Sequence, residues 1–354
     1  MREKVVVGMS GGVDSAVAAY LLLEQGYEPI GVALKTWAGE DSRCCEIEAA
    51  RQIAVKLGIK FHAWNVSEQF SEQVAEPFKA AYRCGVTPNP CTLCNRRVKW
   101  AGLTHVADVI GAKFVATGHY ARSVRTENGR CAVAVADDDA KDQSYMLYNL
   151  TQEQLERTIF PLGKLHKSKV RQMAAEIGLS VANKPDSQEI CFVTEGSYTD
   201  FIGEQTAKPG NFTDAAGNIL GRHKGIIYYT VGQRRGLNLA LGYPAYVKEI
   251  NAAANEVVIG DESSLYTDVI YCRELNFMGA DDIDPGEQVT ADVKIRYRHP
   301  GAQAVLTRAD KDTVKVKFTD AVRAPAPGQA AVFYHQSGFV IGGGTITRIY
   351  GNSN

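Results

Sequence analysis

Two groups of residues in this chain carry chemistry by their types and spacing. The first is Gly8-Met9-Ser10-Gly11-Gly12-Val13-Asp14-Ser15, set between an apolar run at Val5–Val7 and a helix-like stretch over Ser15–Gln25. Its glycines let backbone amides approach an anion closely, and the helix that follows presents its positive end. Ser10 and Ser15 add hydroxyl donors, and Asp14 adds a carboxylate suited to the magnesium that travels with a polyphosphate. No Lys-Ser/Thr pair closes the loop, so it is not a Walker A site, and its glycines do not keep the dinucleotide spacing. Gly8, Met9, Ser10, Gly11, Gly12, Val13, Asp14 and Ser15 are therefore expected to hold the phosphates of a polyphosphate ligand.

The second group is drawn from eight cysteines, at 44, 45, 84, 91, 94, 131, 191 and 272. The N-terminus lacks the anatomy of a signal peptide, so the chain is expected to be cytoplasmic, where disulfide frameworks are rare. Clustered cysteines then read as reactive thiols or metal ligands. Cys91 and Cys94 make a C-x-x-C directly after Pro88 and Pro90, a setting that does not suit a thioredoxin-like redox pair. Cys44 and Cys45 are adjacent, which suits neither a simple bridge nor zinc spacing, and with Cys84, Cys131 and Cys272 they read as small packing residues.

These groups need elements to hold them. Val5–Val7, Ile30–Lys35, Phe61–Val66 and Lys113–Thr117 read as strands, alternating with helix-like stretches over Ser15–Gln25, Glu46–Leu57, Phe70–Tyr82 and Arg97–Ile110. That alternation predicts a parallel, Rossmann-like sheet with helices on both faces. Further helices are expected over Gln152–Phe160, with Thr151 and Gln154 as a capping box, and over Lys167–Ile177. Beyond about residue 200 the texture changes to short runs, Ile226–Val231, Ala245–Glu249 and Val257–Gly260. Val289, Ala291, Val293, Ile295 and Tyr297 then share one parity, as do Val314, Val316 and Phe318, before Ala331–Tyr334 and Phe339–Ile346. Two small β domains are expected, the last a barrel, with divisions at 1–200, 201–273 and 274–354.

The loop resembles the SGGxDS loop of the pyrophosphatase-type ATP-binding superfamily, whose members cleave ATP to AMP and pyrophosphate and adenylate a carbonyl oxygen. Thr87-Pro88-Asn89-Pro90-Cys91-Thr92-Leu93-Cys94-Asn95, Ala116-Thr117-Gly118-His119-Tyr120, Lys141-Asp142-Gln143-Ser144-Tyr145 and Asp186-Ser187-Gln188-Glu189-Ile190-Cys191-Phe192 resemble the motifs of bacterial tRNA-specific 2-thiouridylases, the MnmA family. Gly232-Gln233-Arg234-Arg235-Gly236 and Pro327-Gly328-Gln329-Ala330-Ala331-Val332-Phe333 extend the resemblance over essentially the whole chain.

The resemblance implies an adenine nucleotide alpha hydrolase-like first domain, with Leu34 and Gly118 around the adenosine. It implies Cys94 as nucleophile and Cys191 as persulfide carrier. Asn89, Pro90 and Cys91 would line the target base, and His119, Lys141, Asp142, Gln143, Arg296, Tyr297 and Gln329 would touch the tRNA. The target would be the wobble uridine of the tRNAs for Lys, Glu and Gln, with a cysteine desulfurase or a sulfur-relay protein as donor. One departure stands out: many members carry an acidic residue where this chain has Cys91. Two routes for sulfur therefore stay open, a persulfide relay through Cys94 and Cys191, and a [4Fe–4S] cluster on Cys91, Cys94 and Cys191.

Composition sets outer bounds. The chain of 354 residues is longer than a single hydrophobic core usually supports, and it has no apolar run near the length of a membrane span. Its net charge of −1 supplies no global field for nucleic acid. Local clusters must serve instead: Arg96, Arg97 and Lys99; Lys164, Lys167, Lys169 and Arg171; Arg234 and Arg235; Lys294, Arg296 and Arg298. The competing reading is another ATP-dependent adenylating ligase or amidotransferase with the same loop, which would need neither paired cysteines nor β appendages.

Overall fold

The computed structural model describes residues 2–37, 46–182, 184, 191–193, 198–203 and 207–347. Cys44, Cys45 and the segment from Asp186 to Ile190 lie outside the described residues. The first part of the chain builds a five-stranded parallel sheet from β1 (Lys4–Gly8), β2 (Glu28–Lys35), β3 (Lys60–Asn65) and β4 (Phe114–Thr117), with a hairpin, β5 (Arg122–Arg125) and β6 (Cys131–Ala134), inserted before β7 (Thr158–Ile159). The order is β3-β2-β1-β4-β7, and Val6 of β1 pairs with Ile30 on one side and Val115 on the other. Val5, Val6 and Val7 are fully buried because helices cover both faces of this central strand. One face packs on the Val13–Glu24 and Lys167–Glu176 helices, the other on the helical run that starts at Pro90.

Three local expectations need correction. The helix expected over Gln152–Phe160 stops at Glu156, after the capping box between Thr151 and Gln154 that the sequence implied. Thr158 and Ile159 then form β7, because β-branched residues complete the sheet edge beside β4 better than they extend a helix. The hairpin of β5 and β6 was not foreseen. Ile226–Val231, expected as a strand, instead makes a 3-10 turn at Ile226–Tyr228 that buries Ile226 and Ile227.

The rest is antiparallel apart from one pair. A four-stranded sheet, in the order β10 (Tyr246–Asn251), β11 (Glu256–Gly260), β8 (Gly210–Thr213) and β9 (Ile219–His223), has its own small core around Phe212 and Val257, and its β11–β8 pair is parallel. The closed barrel follows: β12 (Tyr266–Phe277), β13 (Val289–Lys294), β14 (Ala302–Asp310), β15 (Thr313–Arg323), β16 (Ala330–Tyr334) and β17 (Val340–Ile346). Ala291, Val293 and Ile295 fill its interior with Val314, Val316 and Phe318, the parity seen in the sequence. Its first strand runs across the expected division at 273/274. No helix among the described residues is long and apolar enough to cross a membrane.

Candidate active site

The phosphate loop leaves the carboxyl end of β1 and enters the Val13–Glu24 helix, with Gly12 at the N-cap. Gly11 has φ +78°, and a Cβ there would lie 2.8 Å from the Glu46 carbonyl oxygen, so only glycine fits. Ser15 braces the loop from within: its hydroxyl accepts from the Ser10 amide (3.2 Å) and donates to the Gly12 carbonyl (3.1 Å). Met9 and Val13 are buried and support the loop from below, while the Met9 amide donates to Val32 (2.8 Å). Gly118, at the end of β4, packs directly on the loop, where an added Cβ would stand 2.6 Å from the Ser15 nitrogen. Leu34 turns its side chain into the core beside Gly102.

Asp14 is where the structure adds most to the sequence reading. Both of its carboxylate oxygens lie 2.7 Å from the Lys167 ammonium, and Oδ1 also accepts from the Tyr120 hydroxyl (2.8 Å). Among the described residues no three His, Cys, Asp or Glu side chains come together as a metal site. The donor set therefore does not fit a magnesium ion held by the protein alone; an ion accompanying ATP would be carried by its phosphates and water. Tyr120 stood in a quoted motif and Lys167 in a basic cluster, but nothing in their spacing joined them to Asp14.

The cysteines separate. Asn89 caps the turn that follows it through its side chain, accepting from the Cys91 amide (3.2 Å), and Pro90 takes the first helical position, where its missing N–H costs nothing. Cys94, three residues on, is 6 % exposed and packs in the cluster that holds Val32, Leu34 and Phe70. Cys191 packs against the same cluster, whereas Cys91 is not part of it. Two of the three expected thiols thus share one core. Among the described residues the three thiols are not gathered with one another, or with a His, Asp or Glu, as a metal-binding group.

The expected tRNA contacts gather where the barrel meets the α/β part. Gln329 donates from its amide to Thr87 (2.9 Å) and Pro88 (3.3 Å), and the Thr87 amide donates to Pro327 (2.9 Å), so the barrel turn buttresses the turn that carries Asn89, Pro90 and Cys91. Tyr297 donates its hydroxyl to the Asp142 carbonyl (2.9 Å). The Asp142 carboxylate is turned inward, accepting from Ala136, from the Ser144 amide and from the Ser144 hydroxyl. Gln143 is tied to Tyr120 in both directions, its amide donating to the Tyr120 carbonyl and its side-chain oxygen accepting from the Tyr120 amide. Lys141 and Arg298 act electrostatically on Tyr297, and Arg296 on Tyr145, so these cations supply the charge of this region.

His119 is half-buried beside Trp100, its Nδ1 2.8 Å from the Thr117 hydroxyl. Burial, with the Lys99 ammonium adding to it, holds the imidazole well below its ordinary range, so the ring is neutral. The unfolded chain takes up this proton near pH 6.5 and the folded chain does not, so this contribution to stability is present above about pH 6.5 and is lost on acidification. Thermal melts from roughly pH 7.5 down to 5.5 should show a steeper loss in the wild type than in His119→Gln. Parallel pH slopes would remove the buried-neutral assignment.

Comparison with known proteins places this geometry. Residues 3–195 match the family model described as the tRNA methyl transferase HUP domain, residues 199–261 the tRNA methyl transferase PRC-barrel domain, and residues 267–346 the aminomethyltransferase beta-barrel domain. The chain is 49% identical to the tRNA-specific 2-thiouridylase MnmA of Lachnoclostridium phytofermentans, over 98% of this chain and 100% of that one. It belongs to the tRNA-specific 2-thiouridylase family. Other 2-thiouridylases are similarly close: that of Caldanaerobacter subterraneus subsp. tengcongensis is 47% identical over 98% of each chain, and that of Clostridium perfringens 46% over 98% and 99%. The matched HUP domain and beta-barrel domain are both seen here, as the parallel-sheet α/β part and the closed six-stranded barrel.

Proposed function

We propose that this chain is an ATP-dependent tRNA uridine 2-sulfurtransferase acting on the wobble uridine of the anticodon. The observation that carries the sulfur chemistry is the convergence of Cys94 and Cys191 on the core cluster that also contains Leu34, on the strand next to the phosphate loop. A methyl transfer, which the descriptions of two matched family models would suggest, gives no use for an anion-binding loop and two thiols on one core.

The uracil 2-carbonyl is a poor electrophile with a poor leaving group. In the reading we favour, its oxygen attacks the α-phosphorus of ATP; the bond to the bridging oxygen breaks, and that electron pair leaves on pyrophosphate. The loop amides and the Ser10 and Ser15 hydroxyls hold the phosphates, and magnesium supplies charge neutralisation when bound with them. Sulfur arrives on Cys191 as a persulfide from a desulfurase or relay protein. The Cys94 thiolate attacks the inner sulfur, forming a Cys94–Cys191 disulfide and releasing sulfide. Sulfide adds to the activated carbon, AMP leaves, and a cellular dithiol reduces the disulfide.

The base must be splayed from the anticodon loop to reach this site, as is usual for enzymes that act on a base. Asn89, Pro90 and Cys91 form the turn that would receive it, with Gln329 holding that turn in place. Lys141, Arg296, Tyr297 and His119 would meet the surrounding RNA, and the accepted tRNAs would be those for Lys, Glu and Gln.

The test is incubation of iron-free protein with unmodified tRNA, ATP, magnesium and sulfide, followed by nucleoside mass spectrometry. ATP-dependent 2-thiouridine supports the assignment. A product that appears only after iron–sulfur reconstitution would restore the three-cysteine cluster, and pyrophosphate release that does not depend on tRNA would favour an adenylating ligase.

A further inference from the structure

One residue, Tyr120, stands between the phosphate loop and the segment expected to meet RNA. Its ring is buried, and its hydroxyl donates to Asp14 Oδ1 (2.8 Å), 106 residues away in the chain. Its main chain is held from the other side by Gln143. The Gln143 amide donates to the Tyr120 carbonyl (2.8 Å), and the Tyr120 amide donates to Gln143 Oε1 (3.0 Å). A backbone amide can only donate, so the oxygen of the Gln143 side chain must face Tyr120 and its Nε2 group must face away. Among the described residues no acceptor takes the Nε2 hydrogens, and the side chain is half-buried, so they remain for a ligand arriving from outside.

The barrel pins the chain on both sides of Gln143. Tyr297 donates to the Asp142 carbonyl (2.9 Å), the Ser144 and Tyr334 hydroxyls are 3.0 Å apart, and Tyr145 donates to the Ala330 carbonyl (2.8 Å). What an RNA can change here is therefore the Gln143 side-chain amide rather than the path of the chain. An amide held at one end can rotate away from its partner. With an RNA oxygen on Nε2 it is held from both ends, and an amide that donates becomes a stronger acceptor at its oxygen. Tyr120 is then fixed, and with it the Asp14 carboxylate. That carboxylate is in the first turn of the Val13–Glu24 helix, beside the amides that phosphates approach. The direction in which it is held decides how strongly its charge opposes them.

We propose that Tyr120 is a positioning residue for adenylation, the link through which RNA seated on Gln143 tightens the hold of the loop on ATP. This rests on the loop being an ATP site and on residues 141–143 being a tRNA contact. Coupling between two binding sites is reciprocal, so ATP tightens tRNA by the same factor. The consequence is a loop that holds ATP well only when a tRNA is in place.

The test measures binding rather than turnover. The probe is α,β-methylene-ATP, which cannot be cleaved between its α- and β-phosphates. Calorimetry on the full-length chain gives its affinity without tRNA and with saturating unmodified tRNA. In the wild type, tRNA is expected to tighten the analogue at least about fivefold. Tyr120→Phe keeps the ring and loses the hydroxyl. There the effect of tRNA should fall to within about twofold of none, while affinity for tRNA alone stays within about twofold of wild type. A Tyr120 that only supports Asp14 would weaken the analogue equally with and without tRNA and leave their ratio at the wild-type value. That result would overturn the proposal, as would a wild type whose affinity for the analogue ignores tRNA. Should Tyr120→Phe fail to fold, the same ratio is read in Gln143→Glu, which keeps an acceptor for the Tyr120 amide and loses the Nε2 donors. Failure of the wild type to bind the analogue, or to bind tRNA, would instead overturn the reading of the loop or of the RNA contact, so these failures are distinguishable from loss of the coupling.

Discussion

With sulfur supplied by a cysteine desulfurase rather than as free sulfide, replacing Cys94 by alanine is expected to abolish 2-thiouridine formation, by at least about a thousandfold, while ATP-dependent pyrophosphate release and tRNA binding stay within about twofold. The separation follows from geometry. Cys94 lies in the core cluster with Val32 and Leu34, and the loop that handles phosphate is built from backbone amides and serine hydroxyls. Removing one buried sulfur leaves a small cavity costing about 1 kcal/mol, too little to unfold the chain. Cys191→Ala should show the same profile, because neither thiol can release sulfide without the other. Cys91→Ala is the contrast: outside the shared cluster, it should retain activity within about tenfold. The measurements are nucleoside mass spectrometry for thiolation and pyrophosphate release for activation. A Cys91→Ala protein as inactive as Cys94→Ala, together with bound iron in the wild type, would return the mechanism to a cluster.

Asp14→Asn should fail at the other step, with pyrophosphate release falling at least about a hundredfold and thiolation falling with it. Asparagine keeps the shape of the side chain but not its charge, so Lys167 is left nearly buried with no carboxylate to hold it. Breaking such a pair costs several kcal/mol when both partners are fully buried. Asp14 is 32 % exposed, so roughly 2 kcal/mol is the appropriate scale here, seen as a melting temperature a few degrees lower. The fall in activation should exceed what the loss of folded protein explains. Wild-type pyrophosphate release in a destabilised Asp14→Asn protein would confine Asp14 to a structural role.

How far the fold was legible depended on how local its causes were. Val5–Val7 read as a buried strand because three consecutive β-branched residues ending at a glycine have few other uses, and it is the central strand of the parallel sheet. The parity of Val289, Ala291 and Val293 named the inner face of the barrel before its closure was known. Gln152–Phe160 misled because a good capping box starts a helix without saying where it ends. Its last residues were claimed by β4, a partner more than forty residues away in the chain.

The same division runs through the site. By itself the sequence determined the phosphate loop, since amide presentation by glycines at a strand–helix junction is a local property of eight consecutive residues. It also determined which cysteines to watch and the alternating strands of the barrel. Only the tertiary structure decided that Cys94 and Cys191 share a core while Cys91 stays out of it, and that Gln329 braces the turn at Thr87 and Pro88. It alone brought Lys167 to Asp14 across 153 residues. Those are contacts between distant segments, set by how the helices lie on the sheet and where the barrel docks, and no spacing along the chain encodes them.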